Sequence, residues 1–159
     1  MKINVTRQEI LDLDLALDRL TIKDNISIRH PLRLAYPLGR TKRLIRGDIE
    51  DIKNVIKFDD EYYQELGIIL DRFYIRDNNG NPQQHSSGGF LVKATPEYVS
   101  EMKQLQEKFN VNNKNKENLR FLKENTVIEI EPIKYEDLLE EMNLDDIASL
   151  DVIILPLED

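Results

Sequence analysis

The sequence contains no cysteine and only two histidines, His30 and His85. Without cysteine, the chain has no disulfide, no thiolate nucleophile and no cysteine-ligated zinc or iron–sulfur site. The two histidines lie 55 residues apart in unlike contexts, which does not suit a shared zinc or di-iron centre. We therefore expect stability to come from packing alone, with no metal and no other cofactor.

Long apolar runs are missing as well. No stretch of eighteen apolar residues occurs, and Lys2 is not followed by the apolar segment of a secretory signal. We expect a soluble chain that begins at Met1 and stays in the cytoplasm, without a membrane span. A chain of 159 residues with 40% apolar content can bury one core, so we expect a single domain, 1–159.

Catalytic motifs are also scarce. The segment His85–Gly89 contains two serines and two glycines, but a phosphate-binding loop requires a strand, a helix and a basic residue at fixed spacing. A nucleophile and a base at adjacent positions rarely face each other productively, so this segment is interpreted as a flexible loop. The acids Asp12, Asp14 and Asp18 lack the glycine turn and bidentate glutamate of a calcium loop. We expect no enzymatic activity.

What is present is a strong separation of charge along the chain. The net charge is -8, yet no acid occurs between Asp24 and Asp48, where six bases lie. Residues 124–159 carry twelve acids and one base, Lys134. We expect the acidic end to lie against the basic segment within one molecule, or copies to pair head to tail. Binding to nucleic acid is disfavoured, because the acidic remainder would repel phosphates.

Four of these bases lie on a predicted helix, within a stretch of seven residues. There they could bind a carboxylate-rich partner or a phosphate backbone. Intramolecular pairing is the favoured explanation, and partner binding is the alternative. The candidate partner-binding bases are Arg40, Lys42, Arg43 and Arg46.

Apolar spacing predicts four helices before residue 125. The capping box Thr6–Glu9 starts the first helix, 7–20. The second, 32–57, either kinks at Pro37 or begins near Tyr36. The third, 60–75, is either separate or continuous with the second. The fourth, 96–110, starts at the cap of Thr95 and should pack antiparallel on the second and third.

The segments between these helices predict turns and short pieces. Residues 21–28 read as a short connection, and 77–82 form the strongest turn signal, followed by an exposed loop and a short strand, 90–92. Together these last segments predict a hairpin tip. Residues 112–118, rich in asparagine and lysine, predict a solvated linker or a frayed helix start before a short helical piece, 119–122.

The C-terminal part changes character. Residues 126–133 alternate apolar and acidic side chains, which predicts a strand. Short helical turns follow at 135–139 and 143–147, the latter capped by Asn143, and 152–155 form an apolar plug or strand. The predicted fold class is mainly α with a minor β element. It consists of a long antiparallel helical hairpin, helical to about residue 125, and a small acidic C-terminal α+β part.

Aromatic side chains concentrate around the predicted hairpin. Tyr63 and Tyr74 fall off its main apolar stripe. An exposed pair of aromatic residues would mark a protein partner, because such residues are enriched at interface centres. Burial in the core is the favoured alternative, and both tyrosines complete the set of candidate partner-binding residues.

The order of these elements, with the turn Asp77–Asn81 and the segments Lys134–Leu139 and Asn143–Leu150, resembles a family of small uncharacterised tailed-phage proteins. The resemblance implies a phage origin and a non-enzymatic role in the infected host cell or its virion, with no catalytic residues. A virion structural or assembly component, bound to a protein partner or to its own copies, is favoured. The alternative is an inhibitor or host-takeover protein whose acidic end occupies a basic site on a host factor.

Overall fold

The computed structural model describes residues 1–21, 32–138 and 144–155. The predictions for residues 22–31, including His30, and for the cap at Asn143 lie outside the described residues. The fold is mainly α with a minor β component, as predicted. In chain order the elements are β1 (Lys2–Thr6), α1 (Arg7–Thr21), α2 (Leu32–Leu44), α3 (Arg46–Ile56), α4 (Asp60–Phe73), α5 (Pro96–Lys108), α6 (Val111–Lys123), β2 (Asn125–Glu129), β3 (Ile133–Lys134), a 3-10 turn (Tyr135–Asp137), α7 (Leu144–Leu150), a second 3-10 turn (Asp151–Ile153) and β4 (Ile154–Leu155).

The chain forms two compact units. Unit 1 comprises Met1–Ile56 and Asn118–Asp159, and unit 2 comprises Lys57–Glu117. In the sequence, unit 2 is thus one continuous segment that separates the two segments of unit 1. The prediction of a single domain over 1–159 stays a prediction.

Helix α1 begins at the predicted capping box. The Thr6 backbone N–H donates to Glu9 Oε2 at 2.7 Å, and the Glu9 N–H donates to Thr6 Oγ1 at 3.2 Å. Two amides that have no partner inside the helix are satisfied in this way. The predicted apolar stripe of α1 is buried in unit 1, at Ile10, Leu13, Leu17 and Leu20.

The predicted second helix is two helices. Helix α2 begins at Leu32 and contains Pro37, so a start near Tyr36 is wrong. Ile45 separates α2 from α3, although its N–H still donates to the Thr41 carbonyl at 3.0 Å. Residues 57–59 separate α3 from α4, so the alternative of a helix continuous with the third is also wrong.

The sheet of unit 1 contains a strand that the sequence analysis missed. Strand β1 pairs antiparallel with β2, with Lys2 opposite Glu129 and Thr6 opposite Asn125. The predicted strand 126–133 is therefore interrupted after Glu129, before a proline that cannot donate to a ladder. Beyond that proline, β3 pairs in parallel with β4, and the predicted closing strand is confirmed at Ile154–Leu155.

The core of unit 1 buries one polar side chain among the described residues, that of Thr41. Its hydroxyl donates to the Glu131 carbonyl at 3.0 Å and accepts from the Glu131 N–H at 2.9 Å. The surrounding buried side chains are Val5, Ile10, Leu13, Ala16, Leu17, Leu20, Leu34, Leu38, Ile45, Ile49, Ile52, Ile128, Ile130, Ile133, Leu150 and Ile153.

Unit 2 is built on an antiparallel pair of helices, α4 and α5. Thr95 caps α5 by accepting a hydrogen bond from the Tyr98 N–H, as predicted. The helices bury Ile69, Phe73 and Leu105 between them. The predicted packing of the fourth helix on the third is confirmed, whereas residues 32–56 of the predicted second helix belong to unit 1.

The tip of unit 2, residues 74–92, closes with a ring of three backbone hydrogen bonds. Ile75 donates to Leu91, Leu91 donates to Gln83, and Gln83 donates to Ile75, at 2.8–2.9 Å. Asp77 Oδ1 accepts from the N–H groups of Asn79 and Asn81. The predicted turn is thus confirmed, and backbone hydrogen bonds also hold the loop after it.

Helix α6 replaces the predicted linker 112–118, so that alternative is wrong. Asn110, with φ of 50°, ends α5 and allows the chain to enter α6. Val111 is buried at its start, and Asn118 Nδ2 donates to the Ile56 carbonyl at 2.8 Å. The sequence prediction relied on apolar periodicity, which does not reveal the hydrogen bond of Asn118 or the burial of a single valine at the helix start.

Candidate functional site

The candidate partner-binding residues fall into two separate places. The four bases lie on α2 and α3 of unit 1, whereas Tyr63 and Tyr74 belong to unit 2.

Arg40 is paired within the molecule. Its Nε lies 3.3 Å from Glu131 Oε2, and its Nη1 donates to the Tyr36 hydroxyl at 2.8 Å. The hydrogen bond to Tyr36 and the charge of Glu131 raise the pKa of Arg40. A second base of the same segment, Arg33, lies 3.2 Å from Asp137. The expectation that the acidic end pairs with the basic segment in one molecule is confirmed at these two positions.

The other bases differ in their partners. Lys42 pairs with Asp18 of α1 at 2.5 Å, and Arg46 pairs with Glu50 one helical turn away at 3.2 Å. Within the part of the chain that the structure describes, Arg43 makes no ion pair. Its guanidinium keeps all its donors for another group.

Arg43 lines a groove of about 430 Å³ in unit 1. A guanidinium recognises a carboxylate through two parallel hydrogen bonds. Because three acids also line the groove, a single carboxylate of a protein suits it better than a polyphosphate backbone, which those acids would repel. The lining residues are Asp14, Asp18, Gly39, Lys42, Arg43, Arg46, Ile49, Glu50 and Lys53.

Tyr63 and Tyr74 do not form a pair. They lie 11 residues apart at opposite ends of α4, which corresponds to about 16 Å along a helix. Tyr63 is 49% exposed, and its hydroxyl accepts from the Phe58 N–H at 3.4 Å. Tyr74 is half-buried, with its ring 5.3 Å from that of Phe90. The exposed pair that would mark a partner is therefore absent at these two residues.

A different surface of unit 2, which sequence reasoning missed, is the open groove between α4 and α5. This hairpin groove has a volume of about 530 Å³, and Ile68 at its centre is 62% exposed. The sequence signal for this groove was the pair of adjacent isoleucines on α4, Ile68 and Ile69. The buried face of the helix needs only one of them. The lining residues are Glu65, Ile68, Ile69 and Arg72 of α4, and Glu101, Gln104, Leu105 and Lys108 of α5.

Ion pairs close both ends of the hairpin groove. Lys108 contacts Glu65 and lies 3.2 Å from Glu61, and these two hydrogen bonds raise the pKa of Lys108. At the other end, Arg72 Nη1 donates to Glu101 Oε1 at 3.1 Å. The charges thus join α4 to α5, while Ile68 between them stays exposed.

His85 contacts both serines beside it, and the expectation that this arrangement is not catalytic stays a prediction. His85 Nδ1 lies 2.8 Å from Ser87 Oγ and accepts from the Ser87 N–H at 3.2 Å. These contacts close an exposed turn at Gly88, whose φ is +92°. A catalytic base needs a third group that orients it, and no such contact of His85 occurs among the described residues.

Residues 1–21, 32–138 and 144–155 contain no group of three or more side chains able to hold a metal ion. None of the helices seen in those ranges is long and apolar enough to cross a membrane.

No protein-family model matches the chain, and no curated protein or solved structure matches it. Its function therefore has to be argued from its own surfaces.

Proposed function

We propose that the chain is a non-enzymatic, phage-encoded interaction protein that acts as a structural or assembly component of a virion. The observation that carries this proposal is the hairpin groove, where Ile68 is exposed beside a small core of three buried and five partly buried side chains. The phage origin rests on the family resemblance of the sequence.

The physical argument concerns the size of the hairpin core. A unit of about 60 residues is marginally stable on its own, because it buries a smaller fraction of its surface than a larger domain does. Two packed helices cover only part of each other's apolar face. The rest of each apolar face stays in contact with water until another element covers it. Unit 2 therefore gains stability from a partner that fills the hairpin groove.

The groove of unit 1 supplies a second docking place of different chemistry. Arg43, which makes no ion pair with the described residues, offers its guanidinium to an acidic side chain beside the ion pairs of Lys42 and Arg46. Contacts of two kinds, one apolar and one charged, suit a component that joins several chains in an assembly.

Two of the twelve acids in residues 124–159 count against the inhibitor alternative. Glu131 and Asp137 are already paired with Arg40 and Arg33. These two carboxylates are therefore less available to a basic site on a host factor than unpaired ones would be.

Mass spectrometry of purified virions tests the proposal. An assembly component that remains in the particle is recovered in a fixed copy number after washing, and a virion structural role would be supported. If the chain is absent both from virions and from assembly intermediates, and co-purifies with one host protein, the proposal is wrong and the inhibitor alternative is favoured.

A further inference from the structure

We infer that the hairpin groove is a self-association surface, on which the α4–α5 hairpin of a second copy packs face to face to form an antiparallel four-helix bundle. This inference rests on the proposed function, because it names the partner of the same surface.

The spacing of the residues that line the groove fits two further helices. On each helix the lining residues recur at steps of three, four and seven, beginning at Glu65 on α4 and at Glu101 on α5. This is the spacing of a helix seam into which side chains of facing helices insert. Ile68 of α4 is the side chain that such an arrangement would cover, since Ile69 and Leu105 are already buried.

The charges at the corners of the groove select the partner. Each helix carries an acid at the N-terminal end of its lining and a base at the C-terminal end. Because α4 and α5 are antiparallel, Glu65 lies beside Lys108 and Glu101 lies beside Arg72. Acids and bases therefore alternate around the four corners.

That alternation is self-complementary. If a second hairpin lies face to face so that every helix is antiparallel to the helix it covers, an acid meets a base at all four corners. Both two-fold arrangements, with α4 on α5 or α4 on α4 of the second copy, give this antiparallel pairing, because the two helices of a hairpin run in opposite directions. A two-fold pair of identical surfaces requires this self-complementarity, whereas a groove for an unrelated partner does not. The pattern therefore favours a second copy of this chain.

A single substitution in the full-length chain tests the inference. Ile68→Asp places a charge at the centre of the groove, and Val99→Asp is the matched control, since Val99 is 59% exposed on α5 but does not line the groove. Light scattering after size exclusion, over a dilution series, should show a dimer for the parent chain. We expect Ile68→Asp to weaken dimerisation at least tenfold and Val99→Asp to leave it unchanged, with equal helix content by circular dichroism.

A cross-linking experiment tests the location without disturbing the charges. The chain has no cysteine, so Ile68→Cys and Val99→Cys each introduce one unique thiol. A short bis-maleimide reagent should join two copies through position 68 and not through position 99. A parent chain that is monomeric at every concentration, or a dimer that Ile68→Asp leaves intact, would overturn the inference.

The outcome separates this inference from the proposed function. A monomer that is recovered in virions would disprove self-association and leave the virion role standing. A dimer broken by Ile68→Asp but absent from virions and assembly intermediates would do the reverse.

Discussion

Thr41 ties helix α2 to the segment after β2 through a single hydroxyl. Because that hydroxyl is fully buried and bonds both backbone groups of Glu131, its loss leaves a buried donor and acceptor without partners. Buried groups left in this state cost about 1–3 kcal/mol. We therefore expect Thr41→Val to lower the free energy of unfolding by about that amount, measured by urea denaturation. Thr126→Val, at a half-buried threonine of β2, is the control, and equal stability of both variants would contradict the expectation.

Arg43 has the opposite character, since no ion pair within the described residues holds it. We expect Arg43→Ala to change the free energy of unfolding by less than about 0.5 kcal/mol, as is usual for surface sites. In contrast, it should lower the fraction of the chain that is recovered with virions. Arg120→Ala, at an exposed arginine of α6 outside the groove, is the matched control. Unchanged recovery of Arg43→Ala would remove the groove of unit 1 from the assembly role.

Lys108 gives the hairpin a dependence on alkaline pH. Its pKa is raised above the ordinary value of 10.5 by the hydrogen bonds to Glu65 and Glu61. A base with a raised pKa in the folded state stabilises that state fully below its ordinary pKa, and the contribution disappears as the pH rises through the raised value. We therefore expect the stability difference between the parent and Lys108→Met to be constant from neutral pH to about 9.5 and to shrink above it. A difference that grows with alkaline pH would contradict this assignment.

Elements with local signals were the ones that the sequence predicted well. Helices α1 and α5 each begin at a capping residue next to an apolar stripe, and both starts were placed correctly. The break at Ile45 and the helix α6 carry no such signal. Strand β1 depends on a partner more than 110 residues away, and no local pattern reports a pairing of that kind.

At the tip of unit 2, the side chain of Asp77 holds a turn together. Asp77 Oδ1 accepts from two backbone N–H groups, those of Asn79 and Asn81, at 2.8 and 2.9 Å. We expect Asp77→Ala to speed the hydrogen exchange of both amides, because the turn loses the bonds that hold it. Asn78→Ala, one residue away, should leave their exchange unchanged. If both variants behave alike, the ring of backbone hydrogen bonds alone organises the tip.

At the scale of the whole molecule, the charge separation was predictable and the two units were not. Composition shows that acids and bases are segregated, and the pairing of Arg40 with Glu131 followed as expected. The boundaries at Ile56 and Asn118 depend on which helices share a core, which is decided by contacts between distant segments. The hairpin groove was missed for a related reason. Its two sides come from separate helices, and the sequence of each helix alone does not show which of its residues face the groove.

The division into units leads to a prediction about excision. The chain leaves unit 1 at Ile56 and returns at Asn118, and these residues are joined by a 2.8 Å hydrogen bond. A short glycine–serine linker can therefore replace unit 2 without moving the ends apart. We expect the excised chain to keep the β1–β2 sheet, with the amide of Ile128 protected in nuclear magnetic resonance spectra. An unfolded product would show that unit 1 depends on unit 2.

The pairing of β1 with β2 also sets an order of events during synthesis. Strand β1 leaves the ribosome first, but its partner begins at Asn125, which follows on the order of ten seconds later at ordinary translation rates. Unit 2 is complete in sequence before that moment. The backbone of β1 therefore stays unpaired while the hairpin of unit 2 folds. During that interval a chaperone that shields extended nascent segments can bind β1.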